Sequence, residues 1–86
     1  MESEVIQARI MVTLKNGVLD PQGKAIEHAL DGLGYGEVGS VRQGKVFDVT
    51  LETVDRTKAE ATLKEICERL LANTVIEDYM IEIAGS

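Results

Sequence analysis

The sequence predicts an α+β domain with a ferredoxin-like sandwich, in which two helices cover one face of a four-stranded antiparallel sheet. Two observations support this fold. Apolar and polar residues alternate in several segments, as in half-buried strands, and in two others apolar residues recur at intervals of three and four, as in helices. The order is strand, helix, strand, strand, helix, strand, and right-handed crossovers then place the first and last strands centrally.

The first strand is predicted over residues 5–14, where alternate positions are apolar. Gly17 follows in a turn, because glycine can adopt backbone angles closed to other residues. Asp20 can cap a helix whose first residue, Pro21, needs no amide hydrogen. We expect this helix over residues 21–33, ended by Gly34, with one apolar stripe facing the core. The stripe consists of Ile26, Ala29, Leu30 and Leu33.

The second half of the chain repeats this arrangement. Residues 38–43 predict a weaker strand, and a hairpin turn at residues 43–45 connects it to a third strand over residues 46–54. Asp55 offers a second N-cap for a helix that extends through Asn73. Residues 75–84 predict the last strand, with Tyr79 and Ile81 on one face and Met80 on the other.

One face of the predicted sheet has no helix on it. Val5, Met11, Val46 and Met80 fall on this face among polar neighbours such as Arg9, Thr13 and Asp48. A mixed face can simply be solvated, but in a domain this small it also suits a contact between the sheets of two chains. We therefore expect a homo-oligomer, either a dimer or a tetramer.

The composition limits the possible functions of the chain. Its 86 residues predict a single domain, residues 1–86, and a net charge of −6 repels nucleic-acid phosphates and anionic lipids. No apolar run approaches the roughly 20 residues of a membrane span. The acidic N-terminus is unlike a secretory signal, and Cys67 alone can form no internal disulfide. We expect a cytoplasmic protein that binds neither nucleic acid nor membrane.

Three features that could mark a chemical site have simpler explanations. Glycines at positions 34, 36 and 39 match G-x-G-x-x-G, but they follow a helix instead of preceding one, which favours a turn. His28 falls opposite the apolar stripe and has no further ligands spaced to bind a metal with it. Cys67 lacks a recognisable activating base and is expected to be a small buried or boundary residue. The sequence thus predicts no catalytic residue and no metal site.

Arg42 and Lys45 flank a glycine turn in a chain that is otherwise acidic. These cations can form a solubilising hairpin tip. They can also provide an electrostatic contact for an acidic partner surface or for a phosphate-bearing ligand shared across an interface. The sequence leaves both interpretations open.

Three blocks in this order resemble the PurS subunit family of phosphoribosylformylglycinamidine synthase. They are LKNGVLDPQG at residues 14–23, VRQGK at 41–45 and LANTVIEDY at 71–79. The resemblance extends from about residue 5 to residue 84. The family commonly has proline where this chain has Asn16 and Thr74. Both departures fall in predicted loops, where they change backbone rigidity and remove no chemical group.

The resemblance implies a non-catalytic small subunit of a complex in de novo purine biosynthesis. Such a subunit bridges a glutaminase subunit, PurQ, which releases ammonia, and an ATP-dependent synthetase subunit, PurL, which makes formylglycinamidine ribonucleotide from formylglycinamide ribonucleotide. No cofactor is expected on this chain, because ATP and magnesium belong to the synthetase. The candidates for partner contacts are Asn16, Gly17, Val18, Leu19, Asp20, Gln22, Arg42 and Lys45.

Two other classes share the predicted order of elements. Sensing modules of the ACT type often have Gly-Val-Leu after the first strand, as at Gly17, but their helix usually begins about there, whereas Asp20 and Pro21 predict a later start. An acylphosphatase-like enzyme would need a suitably placed arginine after the first strand, where Lys15 is the only cation. The ACT type is therefore the alternative function, and acylphosphatase activity is disfavoured.

Overall fold

The computed structural model of the chain describes residues 5–84, which contain three strands, two α-helices and one π-helical segment. In chain order these elements are β1 (Ile6–Leu14), α1 (Pro21–Gly32), β2 (Gly44–Leu51), α2 (Arg56–Ile66), the π-helical segment Cys67–Leu71 and β3 (Glu77–Ile83). The α+β class is therefore as predicted. None of the helices in these residues is long and apolar enough to cross a membrane.

The three strands form one antiparallel sheet in the order β2-β1-β3. Ile10 at the centre of β1 lies opposite Phe47 of β2 and Ile81 of β3. Because side chains alternate along each strand, these residues share one face, and Met11, Val46 and Met80 share the other, as the sequence predicted. The last strand thus lies beside the first.

The core lies between β1 and α2. Ile10 and Val12 from the strand are almost completely buried, as are Leu63 and Cys67 from the helical side. The β2 and β3 residues on this face, including Phe47, Val49, Tyr79 and Ile81, are only half-buried. One helix therefore covers the centre of the sheet and leaves both flanks of the same face partly open.

The predicted strand over residues 38–43 and its hairpin turn are absent from the described part of the chain. Residues 38–43 have no regular structure, and β2 begins directly at Gly44. The reason lies in the backbone amides of this segment. Those of Val41 and Gln43 donate to the carboxylates of Glu27 and Asp20, at 2.8 Å each, so they do not join a strand ladder. The prediction of four strands was wrong for the described residues.

The prediction that α1 faces the core was also wrong. Ile26 is 40% exposed and Leu33 is 72% exposed, and Gly23 is the only buried residue of α1. Because no edge strand follows the helix, the chain does not carry α1 back across the sheet. Residues 15–43 instead form a projection, here called the arm, which consists of the turn, α1 and the segment that returns from it.

Both N-caps and the end of α1 agree with the sequence, whereas α2 ends at Ile66 and continues as a π-helical segment to Leu71 instead of extending through Asn73. Asp20 caps α1, and Asp55 caps α2 by accepting a hydrogen bond from the amide of Lys58 at 3.1 Å. Leu33 closes α1, and Gly34 then adopts φ +98°, a left-handed conformation that favours glycine. The glycines after α1 thus belong to a helix-ending turn, His28 is exposed and Cys67 is buried, all as expected.

Candidate partner-binding surface

The turn between β1 and α1 carries four of the predicted contact residues: Asn16, Gly17 and Leu19 are exposed, and Val18 is half-buried. Its backbone closes through a hydrogen bond from the amide of Val18 to the carbonyl of Lys15, at 3.1 Å. Gly17 has φ +87°, so a side chain there would be strained. Leu19 is 69% exposed although it is apolar. The turn is thus shaped by its glycine and exposes an apolar side chain beside Asn16.

Asp20 connects the two ends of the arm. Its Oδ1 accepts a hydrogen bond from the amide of Gly23 at 2.9 Å, and its Oδ2 accepts one from the amide of Gln43 at 2.8 Å. The hydrogen bond from the amide of Gln43 lowers the pKa of the Asp20 carboxyl most, and the bond from Gly23 has the next largest lowering effect. The nearby charge of Arg42 acts in the same direction. Asp20 is buried, at 8% exposure, and acts as a structural anion.

Close contact between α1 and the returning segment continues one turn along the helix. A Cβ atom at Gly23 would collide with the carbonyl oxygen of Val41, so the position requires glycine. Oε2 of Glu27 accepts the hydrogen bond from the amide of Val41, and Lys24 Nζ lies 3.6 Å from its Oε1. Gly23 and Glu27 are four residues apart and therefore share the helix face that meets the returning segment.

Arg42 attaches the returning end of the arm to the end of β1. Its Nη2 donates to the carbonyl oxygens of Leu14, at 2.8 Å, and Lys15, at 3.1 Å. We call the contacts of Asp20, Arg42 and Gln43 the arm base. Of the two interpretations left open by the sequence, a hairpin tip is wrong, because Arg42 lies against the backbone at the end of β1.

Lys45 lies beside a shallow groove on the helix side of the sheet. The groove has a volume of about 440 Å³, and its lining includes Asp20, Gln22, Gln43 and Glu77. Lys45 Nζ is 3.7 Å from Glu77 Oε2. Beyond the groove, Lys15 Nζ lies 2.7 Å from Asp78 Oδ1. Both lysines therefore lie within ion-pair distance of a carboxylate of the same chain.

The structure brings the predicted residues together in two groups. Asp20, Gln22, Arg42 and Lys45 gather at the arm base and its groove, and residues 16–19 form the adjoining turn. Sequence reasoning missed Glu27, whose carboxylate accepts the hydrogen bond from the amide of Val41. The sequence did contain a signal for this contact. Gly23 lies four residues before Glu27 on the same helix face, and a glycine there indicates that another backbone segment approaches the helix closely.

The described residues contain no group of three or more metal-ligating side chains suited to a metal ion. Tyr79 donates to Oε2 of Glu68 at 2.7 Å, and this hydrogen bond is the main reason that the pKa of Tyr79 is raised to about 12. Burial, followed by the charge of Glu68, raises the pKa of the Cys67 thiol. Both groups thus hold their protons and serve as packing and hydrogen-bonding residues.

Comparison with known sequences gives a consistent family. A family model described as PurS, phosphoribosylformylglycinamidine (FGAM) synthase, matches residues 7–85. The chain is 51% identical over 77 residues to a phosphoribosylformylglycinamidine synthase subunit PurS of Bacillus subtilis, covering 90% of each chain. It is 48% identical over 83 residues to the PurS subunit of Synechocystis, covering 96% of this chain and 83% of the relative. None of these similarities supports the ACT-type alternative.

Solved structures agree with the sequences. A B. subtilis PurS structure superimposes with a TM-score of 0.84 at 49% identity and covers 93% of this chain and 99% of its own. A chain in a structure of PurLQS from Thermotoga maritima superimposes with a TM-score of 0.85 at 31% identity, covering 93% and 98%. The chain belongs to the PurS family, whose members are subunits of FGAM synthase in purine biosynthesis.

Proposed function

We propose that this chain is the small, non-catalytic subunit of a cytoplasmic FGAM synthase complex. It bridges a glutaminase subunit and an ATP-dependent synthetase subunit, so that ammonia from glutamine reaches formylglycinamide ribonucleotide. ATP and magnesium act on the synthetase, and this chain carries no cofactor. The similarity to a chain in a structure described as PurLQS supports a role inside a complex.

The observation that carries this proposal is the arm base. Asp20 and Arg42 direct their polar groups to the backbone of the same chain, at distances of 2.8 to 3.1 Å. They hold a turn and a helix away from the sheet, where Leu19 and Leu33 are about 70% exposed. A projection with exposed apolar side chains fits a contact with other subunits, since large exposed apolar patches mark interaction sites.

Such a subunit contributes to catalysis through geometry. Ammonia released at one active site must reach a second before it escapes, and holding the two sites in register favours this transfer without any bond change on the bridging chain. The contact residues that we propose are Asn16, Gly17, Val18, Leu19, Asp20, Gln22, Arg42 and Lys45. The exposed turn is suited to touch a partner directly, whereas Asp20 and Arg42 position the arm.

We further propose that the chain acts as a homo-oligomer. The open sheet face supports this, because Val46 and Met80 are each nearly 60% exposed beside the half-buried Met11. The three residues are adjacent across the strands and form a continuous apolar row. The row is bordered by an ion pair between Arg9 and Asp48, which is 2.9 Å long. An apolar row beside charged groups suits a contact between sheets.

Reconstitution tests the proposed function. The synthetase and glutaminase from the same source are mixed with ATP, magnesium, formylglycinamide ribonucleotide and glutamine, and product is measured with and without this chain. We expect glutamine-dependent synthesis to require the chain. Ammonium chloride in place of glutamine is the control, since a bridging subunit is needed less when ammonia is supplied in bulk. Undiminished glutamine-dependent synthesis without the chain would contradict the proposal.

A further inference from the structure

We propose that the outer edge of β3 receives an extended acidic segment of another subunit of the complex, which pairs with β3 as an added strand and places a carboxylate beside Lys64. The inference rests on the proposed function, which supplies the partner. It assigns to the chain a second contact surface, on β3 and α2, to which no residue of the arm contributes.

The first argument is the open edge of the sheet. The amide of Lys15 donates to the carbonyl oxygen of Ile76 at 2.8 Å, and this pair continues the register between β1 and β3. Because the bonding direction alternates along an antiparallel pair, the even-numbered residues of β3 direct their backbone groups to β1. Those of Tyr79 and Ile81 point away from β1, where the described sheet ends. Such an edge can accept a strand from another protein through main-chain hydrogen bonds.

The second argument is an apolar floor beside this edge. Tyr79, Ile81 and Ile83 direct their side chains to the helix side of the sheet, where they remain half-buried. Together with α2 they border an open groove of about 330 Å³, here called the β3 groove, whose lining also includes Lys64. A strand added to the edge would place every second side chain over this floor. Main-chain bonds would then supply affinity, and the groove would supply specificity.

The third argument is the charge at the rim of the β3 groove. Glu60 and Lys64 lie one helical turn apart on α2 and both line the groove. Glu60 Oε2 is 3.6 Å from Arg56 Nε, so its charge is offset within the helix. Lys64 has no carboxylate within ion-pair distance in residues 5–84. In a chain of net charge −6, this leaves a local positive site that suits a carboxylate.

The charges also show why a second copy of this chain suits the edge poorly. Two β3 strands paired edge to edge about a two-fold axis would bring two Lys64 side chains to the same contact. On the opposite sheet face, Asp78 and Glu82 of both copies would gather across the pair, and like charges on neighbouring strands are destabilising. A different protein segment, apolar at alternate positions and acidic near Lys64, avoids both repulsions.

Hydrogen exchange in the assembled complex tests the strand pairing. The full-length chain is exchanged into deuterated buffer alone and together with the synthetase and glutaminase from the same source. Exchange is then quenched, and deuterium on single amides is measured by mass spectrometry. We expect the amides of Tyr79 and Ile81 to exchange several-fold more slowly in the complex. Those of Asp78 and Met80 should change less, because they already face β1. Edge amides that exchange equally in both samples would overturn the proposal.

Removal of one charge tests the chemistry of the incoming segment. Lys64→Gln should weaken association with the synthetase and glutaminase several-fold, and the difference from the unsubstituted chain should shrink as salt is added. The matched control is Lys58→Gln, which removes the same charge from an exposed position of α2 outside the groove lining. Circular dichroism checks that both variants fold. Equal effects of the two substitutions on association would overturn the acidic occupant.

Failure of this proposal is distinguishable from failure of the proposed function, because glutamine-dependent synthesis is measured on the same mixtures. A chain that supports synthesis while its edge amides exchange unchanged keeps the bridging role and loses the strand pairing. A chain whose edge amides are slowed but that has no effect on synthesis keeps the pairing and loses the bridging role. Absence of any association would contradict both.

Discussion

The side chain of Asp20 lies 2.8 Å from the backbone amide of Gln43, a residue 23 positions further along the chain. This hydrogen bond joins the residue before α1 to the residue before β2. It closes the arm as a loop whose two ends meet at one carboxylate. Asp20 therefore helps to fix the position of α1 relative to the sheet, together with Arg42.

Asp20→Ala should destabilise the chain more than Asp55→Ala. Both substitutions remove an N-cap, for which the expected loss is about 1 kcal/mol. Asp20 also accepts the bond from Gln43 at a buried position, whereas Asp55 is exposed and caps α2 alone. Urea denaturation of the two variants measures the difference. Equal losses would show that the bond to Gln43 contributes nothing to stability.

Stability should fall in acid partly through Asp20. Because the pKa of Asp20 is lowered by two amide donors, its contribution is present above the ordinary carboxyl pKa of about 4 and is lost as pH falls through the lowered value. Asp20→Asn cannot titrate, so its free energy of unfolding should decline less over the same range. Denaturation curves from about pH 6 to about pH 3 provide the measurement. Parallel declines would refute the role of Asp20.

Arg42→Lys should loosen the arm while retaining the charge. Lysine lacks the planar fork of arginine, and Nη2 of Arg42 reaches two carbonyl oxygens at the end of β1. We expect faster limited proteolysis within residues 15–43 and a higher chain concentration for half-maximal glutamine-dependent synthesis. Arg56→Lys is the control, because the ion pair of Arg56 with Glu60 lies exposed on α2 and away from the arm. Similar effects of the two variants would count against a positioning role for Arg42.

Leu63→Ala should be far more damaging than Leu70→Ala. Leu63 is completely buried under β1, and deletion of a buried leucine side chain costs about 2 to 5 kcal/mol. Leu70 is 79% exposed in the neighbouring π-helical segment, so its truncation should change the free energy of unfolding by less than about 0.5 kcal/mol. Chemical denaturation separates the two. A large loss for Leu70→Ala in the isolated chain would indicate that this residue is covered in a dimer.

The sequence predicted well those elements whose residues are determined by neighbours close in the chain. Alternation identified β1 because Ile10 and Val12 face a core while their neighbours face solvent. The caps were predictable because Asp20 and Asp55 bond within three residues along the chain. Local chemistry of this kind is present in any short stretch of sequence, so it is accessible before the fold is known.

The errors arose where contacts between distant residues decide the structure. The stripe through Ile26 and Leu33 indicated burial, but both side chains are exposed in the part of the chain that the structure describes. The segment at Val41 resembled a strand, yet its amide bonds to Glu27, 14 residues earlier. The candidate contact residues were chosen by family resemblance. Only the structure showed that Asp20 and Arg42 bond to the backbone of the same chain at the arm base.

The measurement that tests the bridging role most directly is the coupling between the two partner reactions. This chain is titrated into the synthetase and glutaminase, which are kept at fixed concentrations. Free ammonia, glutamate and formylglycinamidine ribonucleotide are measured in the same samples. We predict that product per glutamate rises toward one as the chain saturates and that free ammonia falls. Full coupling in the absence of the chain, or coupling that does not change as it is added, would contradict the account.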